Sequence, residues 1–330
     1  MSRNIIAVTM GDPAGVGAEV ILKAFADDGL WAGIRPVVYG DFERLAWLAD
    51  TLAIPVEPVP IDSPLESEGL YPRLEVVHFG NAGKDFPFGR ASAAGGKAAL
   101  EYITAAATTA LRAEAVAMVT APISKEAIRA AGSEFTGHTD LLAALSGTKR
   151  WAMTLVAGEL RAMFVTAHIP LAEVPAAVTR ERVLETIELA AEALALLGEG
   201  DKQIAVAGLN PHAGEGGILG SEEVDSIVPA IEAAQEMSIN CVGPVPGDVA
   251  FLRMKNGEFG MVVSMYHDQG HAPLKLVAFD KGVNWTVGLP FIRTSPDHGT
   301  AFDIAGTGKA RPDSMKNAVL LAKSLAANKR

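Results

Sequence analysis

Cysteine is almost absent from this sequence: its 330 residues include only Cys241, so no intrachain disulfide is possible. Such cysteine usage is typical of a reducing compartment. The residues that flank Cys241, Asn240 and Val242, supply no general base, which favours a structural thiol over a nucleophile. The chain also starts without the apolar run and cleavage site of a signal peptide, and we therefore expect a cytoplasmic protein.

Long apolar runs and basic stripes are missing as well. Charged residues interrupt the longest apolar stretches before the roughly 18 residues that a membrane span requires. Lys and Arg are scattered without an aromatic ladder, and the formal net charge is −11, so we expect neither nucleic acid nor a membrane as a partner. The remaining composition, 49% hydrophobic and 20% charged, is that of a globular protein long enough for two lobes.

Short β-rich runs alternate with helical patterns along the chain. This alternation predicts an α/β fold with a mainly parallel sheet. Strands are predicted at 5–10, 36–40, 74–79, 115–121, 152–157, 162–167, 203–209, 260–265 and 283–287. Helices are predicted at 17–26, 42–51, 94–112, 139–146, 180–197, 221–236 and 313–327.

Gly, Pro, His and Asp cluster directly after several of the predicted strands. Ligands of open α/β sheets bind at the carboxyl ends of the strands. The clusters therefore predict one site assembled from many loops: GDPAG (11–15), TAP (120–122), HIP (168–170), NPHAG (210–214) and HDQG (267–270).

Three histidines, His168, His212 and His267, share this position after a strand. Imidazole is the commonest metal ligand, and a three-histidine site with open positions is typical of a catalytic metal. Asp268, beside His267, could be a ligand, an orienting partner or a base, and Asp248 lies in a predicted Pro-Gly-Asp turn. The spacing matches no metal motif, so loop and core histidines with satisfied hydrogen bonds are the alternative interpretation.

The turn at 11–17 follows a strand and opens a helix, where exposed N–H groups bind anions. It is neither GxGxxG nor a Walker loop, so a nicotinamide cofactor would need another binding mode, and a purely structural turn is the alternative. Three further residues recur at nine-residue intervals in a segment of predicted strands and turns. With the start of the helix at 138–139 they could clamp a phosphate and a carboxylate, although each alone is consistent with a solvated surface residue: Lys275, Asn284 and Arg293.

Seven long runs occur in order along nearly the whole chain: GDPAGVG (11–17), VTAPISKEA (119–127), GHTD (137–140), VTAHIPL (165–171), GLNPHAGEGG (208–217), YHDQG (266–270) and GLPFIRTSPDHGTAFDIAG (288–306). Together they resemble the 4-hydroxythreonine-4-phosphate dehydrogenase family of pyridoxal phosphate synthesis. The resemblance implies a two-lobed isopropylmalate/isocitrate dehydrogenase-like α/β fold with an active-site cleft between the lobes. We expect one lobe from 1–127 and 300–330, and a middle lobe, 128–299, with the metal residues, the substrate residues and the dimer interface.

The resemblance also implies roles for particular residues. A divalent metal (zinc, magnesium, cobalt or manganese) would bind His168, His212 and His267, with ligands from both subunits of a homodimer. The implied substrate contacts are His138, Thr139, Lys275, Asn284 and Arg293, and the candidates for proton relay are Asp248, Asp268 and Lys275.

The segment that starts at His298 is similar to the adenosine-binding loop of isopropylmalate dehydrogenases, HGSAPDIAG followed by ANP. The similarity keeps register without a gap and implies that NAD or NADP binds His298, Gly299, Thr300 and Asp303. Arg311 stands where that loop has Asn, which leaves the choice between NAD and NADP open.

The implied reaction is NAD(P)-dependent oxidation of a phosphorylated hydroxy acid, 4-hydroxythreonine 4-phosphate, to a β-keto acid that then decarboxylates. Three departures suggest a paralogous branch: Asp140 in GHTD, the segment starting at His271, and the end of the loop, FDIAGTGKA (302–310). Such paralogues oxidise D-threonate or D-erythronate 4-phosphate, or an aromatic cis-dihydrodiol carboxylate. A metal-dependent lyase without redox chemistry and a non-catalytic ligand-binding paralogue are the rival interpretations.

Overall fold

A computed structural model describes residues 4–278 and 281–329 and confirms the predicted mixed α/β fold. These residues form two compact units. The first comprises 4–149 and 289–327, and the second comprises 150–278, 281–288 and 328–329.

The first unit is built on six parallel strands in the order β3-β4-β2-β1-β5-β12. The strands are β1 (Asn4–Thr9), β2 (Ile34–Gly40), β3 (Glu57–Ile61), β4 (Arg73–His78), β5 (Ala117–Thr120) and β12 (Ile292–Pro296). The helices are α1 (Gly17–Phe25), α2 (Phe42–Thr51), α3 (Ala93–Leu111), α4 (Lys125–Ala130), α5 (His138–Ser146) and α11 (Asp313–Asn328).

The second unit has the strand order β11-β6-β7-β10-β8-β9. β6 pairs antiparallel with β11 and β7, and the other pairings are parallel. The strands are β6 (Ala152–Ala157), β7 (Leu160–Phe164), β8 (Ile204–Ala207), β9 (Cys241–Val245), β10 (Met261–Ser264) and β11 (Val283–Val287). The helices are α6 (Val174–Ala177), α7 (Arg180–Leu196), α8 (Val228–Glu236), α9 (Gly247–Lys255) and α10 (His267–Ala278).

Local sequence explains where several helices begin. The side chains of Asp41, Ser92, Ser124 and Thr179 each accept a backbone N–H from the first turn of α2, α3, α4 and α7, respectively. Such caps satisfy donors that a helix leaves unpaired at its start. Central strands of both units are buried throughout and apolar except for a final Thr or Ser in three of them, as predicted for strands covered on both faces: β1 after Asn4, β5, β8 and β10.

All nine predicted strands are present, whereas β3, β9 and β12 and the helices α4, α6, α9 and α10 were not predicted. Lys275 was expected among strands and turns but lies in α10, and Asp248 was expected in a turn but lies in the first turn of α9. The α10 sequence contains Gly270 and Pro273, two residues that disfavour helices in isolation. Tertiary packing overrides them, since Leu274 of this helix is 1% exposed within the core of the second unit.

The units divide at 149/150 and 288/289, whereas the expected limits were 127/128 and 299/300. The reason lies in two contacts of the first unit. α4 packs against α3, and β12 pairs with β5 through Ile292 and Ala117. Arg293 and the start of α5 therefore belong to the first unit. Over the described ranges, no helix is long and apolar enough to cross a membrane.

Gly96 allows the close approach of α3 to α4, and its replacement provides a test of this packing. A Cβ atom on Gly96 would overlap the carbonyl group of Ala127. Although Gly→Ala in a helix normally stabilises by up to about 1 kcal/mol, we expect Gly96→Ala to lower the free energy of unfolding by roughly 2 kcal/mol or more. Urea denaturation measures it, with the exposed Thr104→Ala of the same helix as the control. A Gly96→Ala protein as stable as the parent would contradict this packing.

Candidate active site

Arg293 is the most buried of the predicted substrate contacts, at 5% exposure on β12. Its Nε and Nη2 atoms donate to the hydroxyl oxygen of Thr120, at the end of β5, over 3.1 and 2.7 Å. Burial lowers the pKa of Arg293 to about 10. A desolvated guanidinium is stabilised by an anion, so this environment is suited to the predicted binding of phosphate or carboxylate.

His138 is the first residue of α5 in the same unit, with Thr139 beside it. The Nε2 atom of His138 is buried and has no hydrogen-bond partner within the described part of the chain. Burial, and then the positive charge of Arg293, hold the pKa of His138 well below its usual value. The ring is therefore neutral at pH 7 and offers one nitrogen to a ligand.

Asp140 orders the backbone in front of His138. Its carboxylate accepts the N–H of Gly137 at 2.9 Å, the hydroxyl of Thr136 at 2.9 Å and the N–H of Thr136. Asp140, one of the departures from the family pattern, thus has a structural role at the start of α5. Its negative charge there also interacts favourably with the helix dipole.

The turn at 11–17 packs tightly against the segment after β5. A Cβ atom on Gly11, whose φ is +75°, would overlap the carbonyl oxygen of Pro122, which accepts the N–H of Asp12 at 3.0 Å. Burial raises the pKa of Asp12, although the N–H of Ala14 and the charge of Arg44 oppose that shift. These contacts account for the turn structurally, which is one of the two interpretations left open by its sequence.

The predicted cofactor loop is held by α1 of the same unit. The carbonyl oxygen of Thr300 accepts the N–H of Val16 at 2.9 Å. Glu19 accepts the N–H groups of Gly308 at 3.3 Å and Ala310 at 2.9 Å. Lys23 then donates to the carbonyl oxygens of Gly308 at 2.6 Å and Ala310 at 2.8 Å. The loop is thus fixed by a buried carboxylate and its neighbouring ammonium group.

Four residues of this loop were predicted to bind the cofactor. His298 is half-buried, and its Nδ1 lies 3.0 Å from the carbonyl oxygen of Gly299. Its Nε2 is buried and lacks a hydrogen-bond partner among residues 4–278 and 281–329, so a ligand could bond there. Gly299 and Asp303 are exposed, Thr300 is half-buried, and a Cβ atom on Gly299 would meet nothing within 4 Å. This open backbone and unpaired nitrogen are compatible with the adenosine part of a dinucleotide.

Two of the three predicted metal ligands meet in the second unit. The ring centroids of His168 and His267 are 5.5 Å apart. Two imidazoles that bind one ion at about 2.1 Å place their ring centres about 5 Å apart, so this separation fits a shared metal. The Nδ1 of His267 bonds to the carboxylate of Asp268 at 2.7 Å, which leaves Nε2 to bind a metal and lowers the pKa of Asp268.

His271 adds a further contact that the sequence did not predict. Its ring stacks on His267 with centroids 3.8 Å apart and on Phe164 with centroids 4.6 Å apart. His271 therefore restrains the ring of His267, and this residue starts the second departure from the family pattern.

His212 lies in a different loop, after β8, with a φ of +53°. Over residues 4–278 and 281–329, the structure has no group of three or more His, Cys, Asp and Glu side chains that could hold a metal. One chain thus brings together His168 and His267 without completing a three-ligand site.

The remaining predicted residues lie in the second unit. Asp248 is exposed in α9, Lys275 is half-buried in α10, and Asn284 is half-buried on β11 opposite Leu155 of β6. Besides His271, four residues with positioning contacts were not predicted. Thr120 stood in one of the strand-end clusters, whereas the buried carboxylates Glu19 and Glu223 and the lysine Lys23 were not singled out as site residues.

Comparisons with known proteins agree with the resemblance in the sequence. Residues 32–322 match the family described as pyridoxal phosphate biosynthetic protein PdxA. The chain is 44% identical to a 4-hydroxythreonine-4-phosphate dehydrogenase of Trichlorobacter lovleyi over 331 residues, 98% of each chain. It is 43% identical to a D-threonate 4-phosphate dehydrogenase of Cupriavidus necator, over 96% of this chain and 95% of that one. A solved 4-hydroxythreonine-4-phosphate dehydrogenase of Klebsiella pneumoniae superposes with a TM-score of 0.90 at 41% identity, with 98% of each chain covered.

The environment of His138 predicts a pH dependence of stability. Its folded-state pKa is lowered, so below pH 6.5 the unfolded chain binds a proton that the folded chain does not. Stability is full above pH 6.5 and falls by up to roughly 1.4 kcal/mol per pH unit as the pH drops toward the folded pKa. His138→Gln removes this loss, so urea denaturation at pH 7 and pH 5 should show a smaller change than in the parent. Ser146→Ala, in the same helix, is the control, and equal changes in His138→Gln and the parent would refute the assignment.

Proposed function

The chain belongs to the family of pyridoxal phosphate biosynthetic proteins PdxA, and from that premise we propose that it oxidises a 4-phosphorylated four-carbon hydroxy acid. The proposed substrate is 4-hydroxythreonine 4-phosphate, and the reaction uses a divalent cation and NAD or NADP. Its product is a β-keto acid, which then loses CO₂. The observation that carries the proposal is the approach of His168 and His267, because it supplies two of the three ligands of the proposed metal site in a chain whose relatives are dehydrogenases.

The metal site is proposed to form from two chains. His168 and His267 would come from one subunit and His212 from the other, which is consistent with the two-histidine group of the single chain. Large apolar side chains are exposed a few residues after each of these histidines, and a second copy of the chain would bury them. They are Leu171 at 70%, Ile218 at 79% and Leu276 at 88% exposure.

Substrate anions are proposed to bind Arg293, His138 and Thr139 in the first unit and Lys275 and Asn284 in the second. Arg293 offers a desolvated positive charge, and His138 remains neutral, so it can bond to a substrate oxygen without adding charge. Asp248 and Lys275 are the candidates for moving the proton. Asp268 is better suited to orienting His267, because its carboxylate already accepts a hydrogen bond from that ring.

The cofactor is proposed to bind the loop at 298–303, where the unpaired Nε2 of His298 would accept or donate a hydrogen bond. A nicotinamide held by this loop would supply a hydride acceptor for the substrate carbon, and a divalent cation held by the three histidines would supply Lewis-acid polarisation of the substrate's hydroxyl oxygen. Arg311 forms an exposed ion pair with Asp313, its Nε lying 3.1 Å from Oδ2, and is a candidate contact for the 2′-phosphate of NADP.

A second activity is supported by the comparisons, because a D-threonate 4-phosphate dehydrogenase is 43% identical to this chain. The two substrates differ at C2, which carries an amine in 4-hydroxythreonine and a hydroxyl in threonate. The C2 amine and the C2 hydroxyl could each bind a divalent cation together with the C3 hydroxyl, so one site could accept either substrate. The preference between the two substrates would then depend on the residues that contact C2.

A spectrophotometric assay of NAD and NADP reduction tests the function. We expect reduction with 4-hydroxythreonine 4-phosphate, at a higher kcat/KM than with D-threonate 4-phosphate, D-erythronate 4-phosphate or an aromatic cis-dihydrodiol acid. A chelator should abolish reduction, and Zn²⁺, Co²⁺, Mn²⁺ or Mg²⁺ should restore it. His212→Ala should lower the rate by more than about 100-fold, whereas the exposed His78→Ala should not.

Other outcomes of this assay assign other functions. Substrate cleavage without cofactor reduction would establish the lyase, and a higher kcat/KM for D-threonate 4-phosphate would establish the second activity. Reduction by a fully active, metal-loaded His212→Ala protein would refute the histidine site.

Heterodimers test how the metal ligands are shared. When His212→Ala and His267→Ala chains are co-expressed with different tags and the mixed dimer is purified, one site keeps all three histidines. We expect that dimer to have about half the parent activity, because a two-fold interface forms two equivalent sites. The mixed dimer of His168→Ala and His267→Ala should be inactive, since each site lacks one histidine. The opposite pattern would contradict the pairing of His168 with His267.

A further inference from the structure

The loop that carries His212 has an unusual backbone. Five consecutive residues have left-handed conformations: His212 (φ 53°), Ala213 (54°), Gly214 (77°), Glu215 (46°) and Gly216 (66°). Three of them are not glycine, and the left-handed region is unfavourable for residues with a Cβ atom. A run of this kind persists only where surrounding contacts over-determine it, and such strain is concentrated at functional sites.

The buried carboxylate of Glu223 supplies those contacts. Glu223 is 2% exposed and lies at the start of a π-helical segment, Glu223–Ile227, in the second unit. Its Oε1 accepts the N–H groups of Leu209 and Asn210, each at 2.7 Å, and its Oε2 accepts the side-chain N–H of Asn210 at 2.9 Å. The carboxylate thus binds three donors at the entry to the left-handed run.

The same carboxylate shapes the interior of the run. A Cβ atom on Gly214 would lie 2.6 Å from Oε2 of Glu223, and one on Gly208 would lie 3.2 Å from Oε1. The chain therefore wraps around Glu223 both before and after His212.

We propose that Glu223 is a positioning residue that holds the left-handed run and thereby aims His212 at the metal. This inference rests on the metal role of His212 in the proposed function. Glu223 itself does not touch the metal: it acts through the backbone of 209–214. A glutamine there could accept the two backbone N–H groups with its one carbonyl oxygen, but its NH2 group would face the side-chain NH2 of Asn210, so the third hydrogen bond and the negative charge would be lost.

Two neighbouring glutamates make a matched test. Glu222 also accepts the side-chain N–H of Asn210, at 2.7 Å, but over the described ranges it accepts no backbone N–H of this loop. We expect Glu223→Gln to weaken Zn²⁺ or Co²⁺ binding by about 10- to 100-fold in a chelator competition with the full-length protein. Glu222→Gln should change it by less than about threefold, and the KM for NAD(P) should be unchanged in both.

A positional role predicts one more result: saturating metal should restore much of the kcat of Glu223→Gln. If Glu223→Gln does not fold, Glu223→Asp is measured in the same way and should bind metal less tightly than the parent. Parent-like affinity in the folded variant, with metal binding lost in His212→Ala, would overturn the inference alone. A parent protein that binds no divalent metal would overturn the proposed metal function, and this inference with it.

Discussion

Glu19 is 1% exposed, and its carboxylate meets the N–H groups of Gly308 and Ala310, with the ammonium group of Lys23 beside it. A carboxylate removed from water must find such donors, because the unpaired charge would cost several kcal/mol. The donors lie on loops, so each buried carboxylate holds a loop in one conformation. Glu223 does the same for the backbone at 209–210, and Asp41 does so for Ala82.

The buried side chains of Arg293 and His138 set the charge of the first unit's candidate residues. Burial disfavours a second positive charge, so His138 near Arg293 stays neutral. In the second unit, His267 is oriented by Asp268 on one nitrogen and by the stacked ring of His271. The first arrangement is compatible with an anionic ligand, and the second with the proposed divalent cation.

Element by element, the strongest sequence patterns gave reliable predictions. β6, β11 and α2 have the predicted limits, because their apolar residues recur with a clear period. The short edge strand β3, with two prolines in five residues, gave no such pattern. α10 contradicted its local signals, since Gly270 and Pro273 are tolerated once Leu274 is buried. Because α10 was not predicted, Lys275 was expected among strands and turns instead of in this helix.

The sequence alone determined the α/β class and, through long ordered motifs, the family. Those features are local: they depend on residue type and spacing along the chain. Only the tertiary structure decided that His168 and His267 meet while His212 stands in a left-handed loop, and that Arg293 is buried against Thr120. It also identified Glu19 and Glu223 as the groups that hold their loops. Residue type does not show whether a glutamate lies on the surface or in the core. Burial is set by packing between distant parts of the chain, and a buried carboxylate must accept hydrogen bonds from backbone donors.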